Sequence, residues 1–502
     1  MKYLLGIDLG TSSVKATLLR TDGRVAGSFA KEYSIDTPYL NWAEQNPIIW
    51  WKATCFVIKN LLNKHKLNTK RIISVGLSGQ MHGLVLLNKD NNPIRPAIIW
   101  PDKRSEKECE EIKNSIDINL LYETTGLPVA TGFYGLSLLW VKNNEKNNYK
   151  NTLTAILPKD YIRYRLVENI ATDASDGSGT LLFNIKKRDW SNEIINLLGL
   201  RKSLFPEVKE SVDVSGNITK LASLETGLDY GTPVTIGGGD QAIGAIGGGV
   251  IEEGTVASVI GTGGQLITSI KNAIFDKEHR THTLCHALKD SWLLMGAILS
   301  GGLSIRWFKD NIINNIYNID SYDFFSKEAE RSEPGSRNLI FLPFLCGERT
   351  PYMDPKARGC FIGLSITHTK SDLIRSIMEG VTFAMKESIL IFKELGVEIK
   401  TLLCSGGGGK SHIWRQIQAD IYNMPNISLI NDEHSSMGAA LLAGVSVGVY
   451  KNISEACKQA TNMSDIVYPI DKNVNIYEKE FSIYRTLYTL LKTTFKKLDI
   501  CP

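Results

Sequence analysis

The chain has 502 residues, 43% of them hydrophobic, 22% charged and 9% aromatic, with a formal charge of only +4. This is ample apolar material for a buried core in each of two or more domains, and the small, scattered charge gives no electrostatic reason to expect nucleic acid or an anionic membrane as partner. Eight cysteines at irregular spacing, without a CxxC pair, argue against a disulfide framework or a thiolate metal site and read as small hydrophobes in a reducing compartment.

The first apolar run, Tyr3–Ile7, meets an acid at Asp8 too soon for a signal peptide. No uncharged apolar stretch reaches the length of a membrane span, so a cytoplasmic protein is expected. Tyr3–Asp8 reads as a strand, followed by the polar turn Leu9-Gly10-Thr11-Ser12-Ser13, a second strand over Val14–Arg20 and a third over Arg24–Ala30. Pro47–Lys64 has helical spacing and Ile72–Leu77 is a buried strand that ends in Ser78-Gly79-Gln80-Met81-His82. A further strand, around Ile94–Ile99, leads into Trp100-Pro101-Asp102-Lys103-Arg104.

The opening pattern then recurs. Gly254–Ile260 reads as a strand, Gly261-Thr262-Gly263-Gly264 as a Gly/Thr turn and Gln265–Ile270 as the returning strand. One copy in each half predicts duplicated domains, 1–247 and 248–502, since the period is far above the roughly 50 residues of a solenoid repeat. Thr401–Cys404, the glycine loop Ser405–Ser411 and a helix from about His412 follow in order. The tail from about Tyr477 to Leu498 carries an apolar stripe of Phe481, Tyr484, Tyr488, Leu491 and Phe495, read as docking on the second domain, with a homodimer contact as the alternative.

Several of these elements carry chemistry. A turn of Gly, Thr and Ser supplies backbone N–H groups and hydroxyls to a phosphate chain, and Asp8 beside it suits a magnesium ion that shields the phosphates. Lys15, across the turn, brings a positive charge toward the transferred group. The alternative is a polar hairpin whose acid satisfies its own turn. Two such turns facing one cleft would grip a triphosphate from both sides. The loop at Ser405–Ser411 is not a P-loop, because Cys404 stands where the GxxxxGK[ST] pattern needs glycine; it reads either as nucleotide-binding backbone or as a flexible loop. Asp240 follows Gly237-Gly238-Gly239, on backbone that a substrate can approach closely. It reads equally as a base for an attacking hydroxyl and as a cap on the helix that follows. Asp102 and Arg104 divide in the same way, between a sugar site with Trp100 and an internal ion pair.

Taken together, these motifs resemble the carbohydrate kinase family that includes glycerol kinase, gluconokinase and xylulokinase, over nearly the whole chain from Gly6 to about Gly444. Gly79-Gln80-Met81-His82-Gly83 looks like the xylulokinase substrate loop. Leu157–Arg163, His282–Ala287 and Phe344–Pro351 likewise look like xylulokinase segments. The resemblance implies an α/β fold of two actin-like (ribonuclease H-like) domains around a central cleft, with sugar on the first domain and nucleotide mainly on the second. It also implies ATP and Mg²⁺ as cofactors. Asp240 matches the catalytic base and Asp8 the acid near magnesium. Thr11, Ser12 and Thr262 match phosphate contacts, and Lys15 a basic position. Gly302, Arg306, Gly407 and Ser411 match nucleotide positions, while Met81, His82, Asp102 and Gln241 fall in the sugar site. The implied reaction is phosphorylation of D-xylulose, with a gluconokinase or another ketose or polyol kinase as alternative and a non-catalytic sugar sensor as a remote one. Three positions depart from the xylulokinase pattern: Pro101 replaces an asparagine, Gln241 another asparagine, and Gly263 a serine.

Overall fold

The computed structural model describes residues 1–313, 321–429, 434–460 and 463–498. Tyr3–Leu9 (β1), Ser13–Arg20 (β2) and Val25–Glu32 (β3) form the expected meander, in a register that sets Leu5 against Leu18 and Asp8 against Lys15. Ile72–Gly79 (β4) lies parallel to the other edge of β1. Beyond β4 come Pro233–Thr235 (β6), parallel to it, and Val214–Asn217 (β5), antiparallel to β6. Gly238–Gly239 (β7) continues the chain after β6 and also pairs with β4.

The second half builds Thr255–Ile260 (β8), Gly264–Ile270 (β9), His282–Cys285 (β10), Trp292–Ile298 (β11), Thr401–Ser405 (β12), Asn426–Leu429 (β13) and Met463–Val467 (β14). The first sheet runs β3-β2-β1-β4-β6-β5 and the second β11-β9-β8-β12-β13-β14, with β10 outside β11. Pairings along both are antiparallel, antiparallel, parallel, parallel, antiparallel. The Gly/Thr turns join β1 to β2 and β8 to β9, at the same place in each sheet. These are two copies of one actin-like plan, and the central strands are buried because helices cover both faces.

Pro47–Lys64 (α1) starts at Asn46, whose Oδ1 accepts from Ile48 N at 3.0 Å, with proline in the first turn. Pro158–Val167 (α2) and Asp240–Gly247 (α3) follow in the first half. Lys370–Glu394 (α4) crosses the second half. The stretch expected as a glycine loop is instead wound into a short helix, Gly406–Lys410 (α5), before His412–Tyr422 (α6). A Cβ on Gly406 would meet Ile260 O at 2.5 Å and one on Gly408 would meet Ile260 Cβ at 2.7 Å, so these glycines serve close packing on β8. The tail helix, Asp471–Leu498 (α8), begins earlier than its stripe suggested. Its Tyr477, Phe481, Tyr484, Tyr488 and Phe495 enter the core of the second half beside α4. Among the described residues no helix is long and apolar enough to cross a membrane.

His434–Ser446 (α7) lies late in the chain but packs on β1, β4 and α3 of the first half. Its sequence is small and apolar on every side, and Ser436–Gly444 is buried throughout. Backbone meets backbone there. A Cβ on Gly6 would lie 1.8 Å from Ser436 O, one on Gly76 1.8 Å from Ala439 O and one on Gly247 1.8 Å from His434 O. A Cβ on Gly438 would lie 2.0 Å from Ile243 O, from the other side. Thr17 Oγ1 and Ser436 Oγ, 2.7 Å apart, share a buried hydrogen bond across the same contact. A single methyl group at Gly76 therefore forces the helix off the sheet. Gly76→Ala is expected to lower unfolding stability by about 2–3 kcal/mol, measured by denaturant unfolding; an unchanged midpoint would refute this packing.

Candidate active site

Asp8 at the end of β1 and Lys15 on β2 face a cavity of about 340 Å³ between the two halves. Asp240, Gln241, Ser405, Gly407 and Lys410 also line it. The turn that follows Asp8 is closed by Gly10 N donating to Ser13 O at 2.9 Å and by Tyr33 OH donating to Gly10 O at 2.5 Å. Ser12, expected at the phosphates, stands on the exposed side of this turn and lines none of the three cavities of the cleft. Its carbonyl accepts from Tyr33 N instead.

Asp240 reaches the cavity because of the glycines before it. Gly237 has φ 75°, and a Cβ there would lie 2.3 Å from Leu77 O, so the chain turns against β4 as only glycine permits. Gly238 and Gly239 then pair with Ser78 and Gly79, and Asp240 opens α3. Gly239, not Asp240, occupies the cap position, and no side-chain cap is made. The carboxylate is thus not at the cap position, and the hydrogen bonding it receives comes from Gln241 in the first turn. Burial in the cleft, followed by the charge of Asp8, pushes Asp240 up to about 7, with hydrogen bonding from Gln241 opposing the rise.

Behind this turn lies a fully buried ionic cluster that spacing alone did not single out, although α2 falls in one of the segments carrying the family resemblance. Lys159 Nζ sits 2.6 Å from Asp160 Oδ1 and 3.2 Å from Asp173 Oδ1, and Arg163 Nη1 donates to Asp160 Oδ1 at 2.7 Å. Both cations also donate to Ile236 O, at 3.4 and 3.3 Å. Gly239 N donates to Ser175 Oγ at 3.1 Å, and Ser175 in turn bonds Asp173. Asp176, 4.0 Å from Lys159, is pushed well up by burial and by the surrounding acids. The cluster therefore holds the backbone on both sides of the glycines that carry Asp240. Removing Lys159 strands Asp160 and Asp173 without their shared cation. Lys159→Met is expected to cost about 3–5 kcal/mol of stability, read from chemical denaturation; a loss below about 1 kcal/mol would mean the cluster does not hold the loop.

A smaller cavity, of about 170 Å³, shares Asp240 and Gln241 with the first. Thr11, Met81, His82 and Trp100 line it from the first half, and Gln265, His282 and Arg349 from the second. The cavity that gathers Met81, His82, Asp240 and Gln241 is thus lined from both halves. His82 has φ 70°, and its Nδ1 is 2.6 Å from Gly179 O. Because a carbonyl only accepts, Nδ1 carries the proton and Nε2 offers a lone pair. Burial pushes His82 down to about 4, so the ring is neutral at physiological pH. Gly179 is required beneath it, since a Cβ would lie 2.7 Å from Met81 Cε and 2.9 Å from His82 Nδ1. Met81 packs on the Gly239 backbone, and Trp100 Nε1 donates to Thr11 Oγ1 at 2.9 Å.

Asp102 is not part of this cavity. Its carboxylate is buried, grips Arg104 through Nε and Nη2 at 2.8–3.0 Å, and accepts from Ala43 N at 2.6 Å. The internal ion pair prevails over the sugar-site reading because every strong acceptor direction of the carboxylate is taken. Arg104 stacks on Trp42, 3.6 Å from the ring centre, which fixes the Trp100 loop from behind.

The third cavity, about 380 Å³, is lined by the second half alone. It gathers Thr262, Gly302, Arg306, Gly407 and Ser411. Ser411 Oγ accepts from Trp414 N at 3.4 Å, capping α6, and lies 2.8 Å from Ser326 Oγ. Gly407 and Lys410 line both this cavity and the first. The three spaces therefore adjoin in a row, with Asp240 at one junction and Gly407 at the other. Gln265, His282 and Arg349 lacked any assigned role in the sequence; the only signal for the last two was their place in segments that resemble the family.

Residues 3–247 match the N-terminal domain, and residues 256–447 the C-terminal domain, of the FGGY family of carbohydrate kinases. The chain belongs to this family and is an ATP-dependent sugar kinase. It is 37% identical over 492 residues to the xylulose kinase of Bacillus subtilis (strain 168), an alignment that covers 98% of each chain. The crystal structure of a ligand-bound xylulose kinase from Lactobacillus acidophilus has a TM-score of 0.93 at 27% identity, covering 99% of this chain and 100% of that one. A gluconate kinase structure from the same organism has a TM-score of 0.93 at 28% identity and covers 99% of both chains.

Proposed function

We propose that this kinase phosphorylates the terminal hydroxyl of D-xylulose, with Asp240 as general base. The observation that carries the reading is the position of Asp240, which lines both the small cavity and the central one. A sugar in the first would present a hydroxyl to Asp240, the triphosphate would occupy the second, and the nucleoside the third. Asp240 takes the hydroxyl proton, the sugar oxygen bonds to the γ-phosphorus, and the bond from that phosphorus to the β-phosphate oxygen breaks to release ADP. Lys15 and Lys410 face the central cavity, where positive charge offsets the phosphate oxygens. Gly407, which lines both the central and the third cavity, offers backbone to the phosphates, while Thr262, Gly302, Arg306 and Ser411 wall the third.

Among the described residues no group of three or more His, Cys, Asp or Glu side chains is placed to hold a metal ion. That fits magnesium, which keeps several waters and binds through one or two carboxylates together with substrate phosphates. Asp8, on the central cavity, is the residue to hold it, and the ion would neutralise phosphate charge.

The strong likeness to xylulose kinases supports the ketose over its rivals, and the likeness to a gluconate kinase keeps an aldonate as the second reading. With Mg-ATP and a panel of ketoses, polyols and aldonates, ADP release is expected to be fastest with D-xylulose. Fastest release with gluconate or another ketose would replace that assignment. Asp240→Asn is expected to lower kcat by about 10²–10⁴-fold with ATP affinity within a few-fold of wild type; near-normal turnover would falsify the base. Because the base must be ionised and stands at about 7 in the free protein, kcat/KM should fall about tenfold per unit as pH drops below 7. A flat profile from pH 5 to 7 would exclude a base with that pKa.

A further inference from the structure

One cation in the small cavity has no evident task inside the protein. Arg349 sits between two tightly held neighbours. Glu348 is buried and its Oε1 accepts from Leu299 N at 3.0 Å and from Arg349 N at 2.7 Å. Thr350 N donates to Ala297 O at 3.0 Å, and Thr350 Oγ1 accepts from Ala297 N at 3.1 Å. Three consecutive residues are thereby pinned to the end of β11, and the half-buried side chain of Arg349 is left lining the cavity. Among the described residues no hydrogen bond or ion pair reaches its guanidinium.

The surroundings do little to satisfy five N–H donors. Burial pushes the neighbouring Glu348 up to about 8, which weakens it as a counter-charge near neutral pH. Arg349 acts electrostatically on His82 and His282, whereas the field on Asp240 comes from Asp8. The cation and the acid line the same cavity, with His82 and His282 near the cation. A half-buried guanidinium that no protein acceptor engages is available to an acceptor oxygen on a ligand, which it can hold by charge-assisted hydrogen bonds.

We propose that Arg349 binds the substrate and sets its specificity, donating to an acceptor oxygen of the sugar other than the hydroxyl facing Asp240. The chemistry it selects is a ketone carbonyl or a carboxylate, both acceptor-only groups, over the hydroxyl of a polyol. This rests on the reading of the small cavity as the sugar site.

The test compares kcat/KM for D-xylulose, xylitol and D-gluconate in wild type, Arg349→Gln and Arg349→Lys. Xylitol has the same carbon chain as xylulose with the carbonyl reduced. Wild type should prefer one of the two acceptor substrates to xylitol. Arg349→Gln should lower kcat/KM for that substrate by about 10–100-fold, mainly through KM, and for xylitol by less than about threefold, so that the discrimination collapses. Arg349→Lys should retain part of it, since the charge remains while the fork geometry is lost. Equal losses on all three substrates, no loss, or a wild-type preference for xylitol would overturn the proposal. Should Arg349→Gln fail to fold, Arg349→Lys alone decides, because a purely structural role predicts unchanged ratios between substrates. A preference for gluconate with the loss confined to gluconate would replace D-xylulose as substrate while sustaining the role of Arg349.

Discussion

The close approach of α7 to β1, β4 and α3 is the contact on which the rest of the molecule rests. Side chains ordinarily hold a helix well off a sheet, but here Gly6, Gly76, Gly247 and Gly438 remove them and let backbone approach backbone. The benefit is geometric as well as energetic. A helix from the far end of the chain becomes part of the first half, packed on β1, β4 and α3. Because α3 carries Asp240 at its first residue, the same contact sets where the acid points into the cleft.

A second constraint meets the first at the Gly237–Asp240 turn. From one side the turn is held against β4, and from the other by Lys159, Arg163 and Ser175. A buried cluster of this kind contributes little net stability compared with an apolar core, because desolvation offsets the attraction. It does supply fixed donors where the glycine backbone has no side chains of its own to hold it. Flexible backbone is thus clamped by stiff electrostatics, and the carboxylate of Asp240 can be raised by burial and by Asp8 without moving.

The division of the cleft follows from the same geometry. The cavity with Thr262, Arg306 and Ser411 belongs to one half, whereas the cavity with Met81 and His82 is completed by Gln265, His282 and Arg349 from the other. A nucleoside in the former would touch one half only, whereas a triphosphate in the central cavity and a sugar in the small one would each meet both halves. Closure over both ligands would exclude water from the transferred phosphoryl group.

Much of this was legible in the residues themselves. The two strand–turn–strand units, α1, the glycines before Asp240 and the stripe of α8 are local matters, since a period of two or 3.6 residues, a proline or a run of glycine speaks through its own backbone. Those elements duly appear, and the repeated turns occupy matching places in matching sheets. Local pattern was ambiguous where one side chain had two plausible partners. Asp102 turned inward to Arg104, Ser12 faced outward, and the glycines after Ser405 wound into a helix against β8. Which distant segments share a cavity is not written in spacing at all. Arg349 and His282 meet His82, and α7 meets β1, only when both sheets have formed and packed, because those contacts depend on the relative placement of whole elements and not on the conformational preference of any one of them.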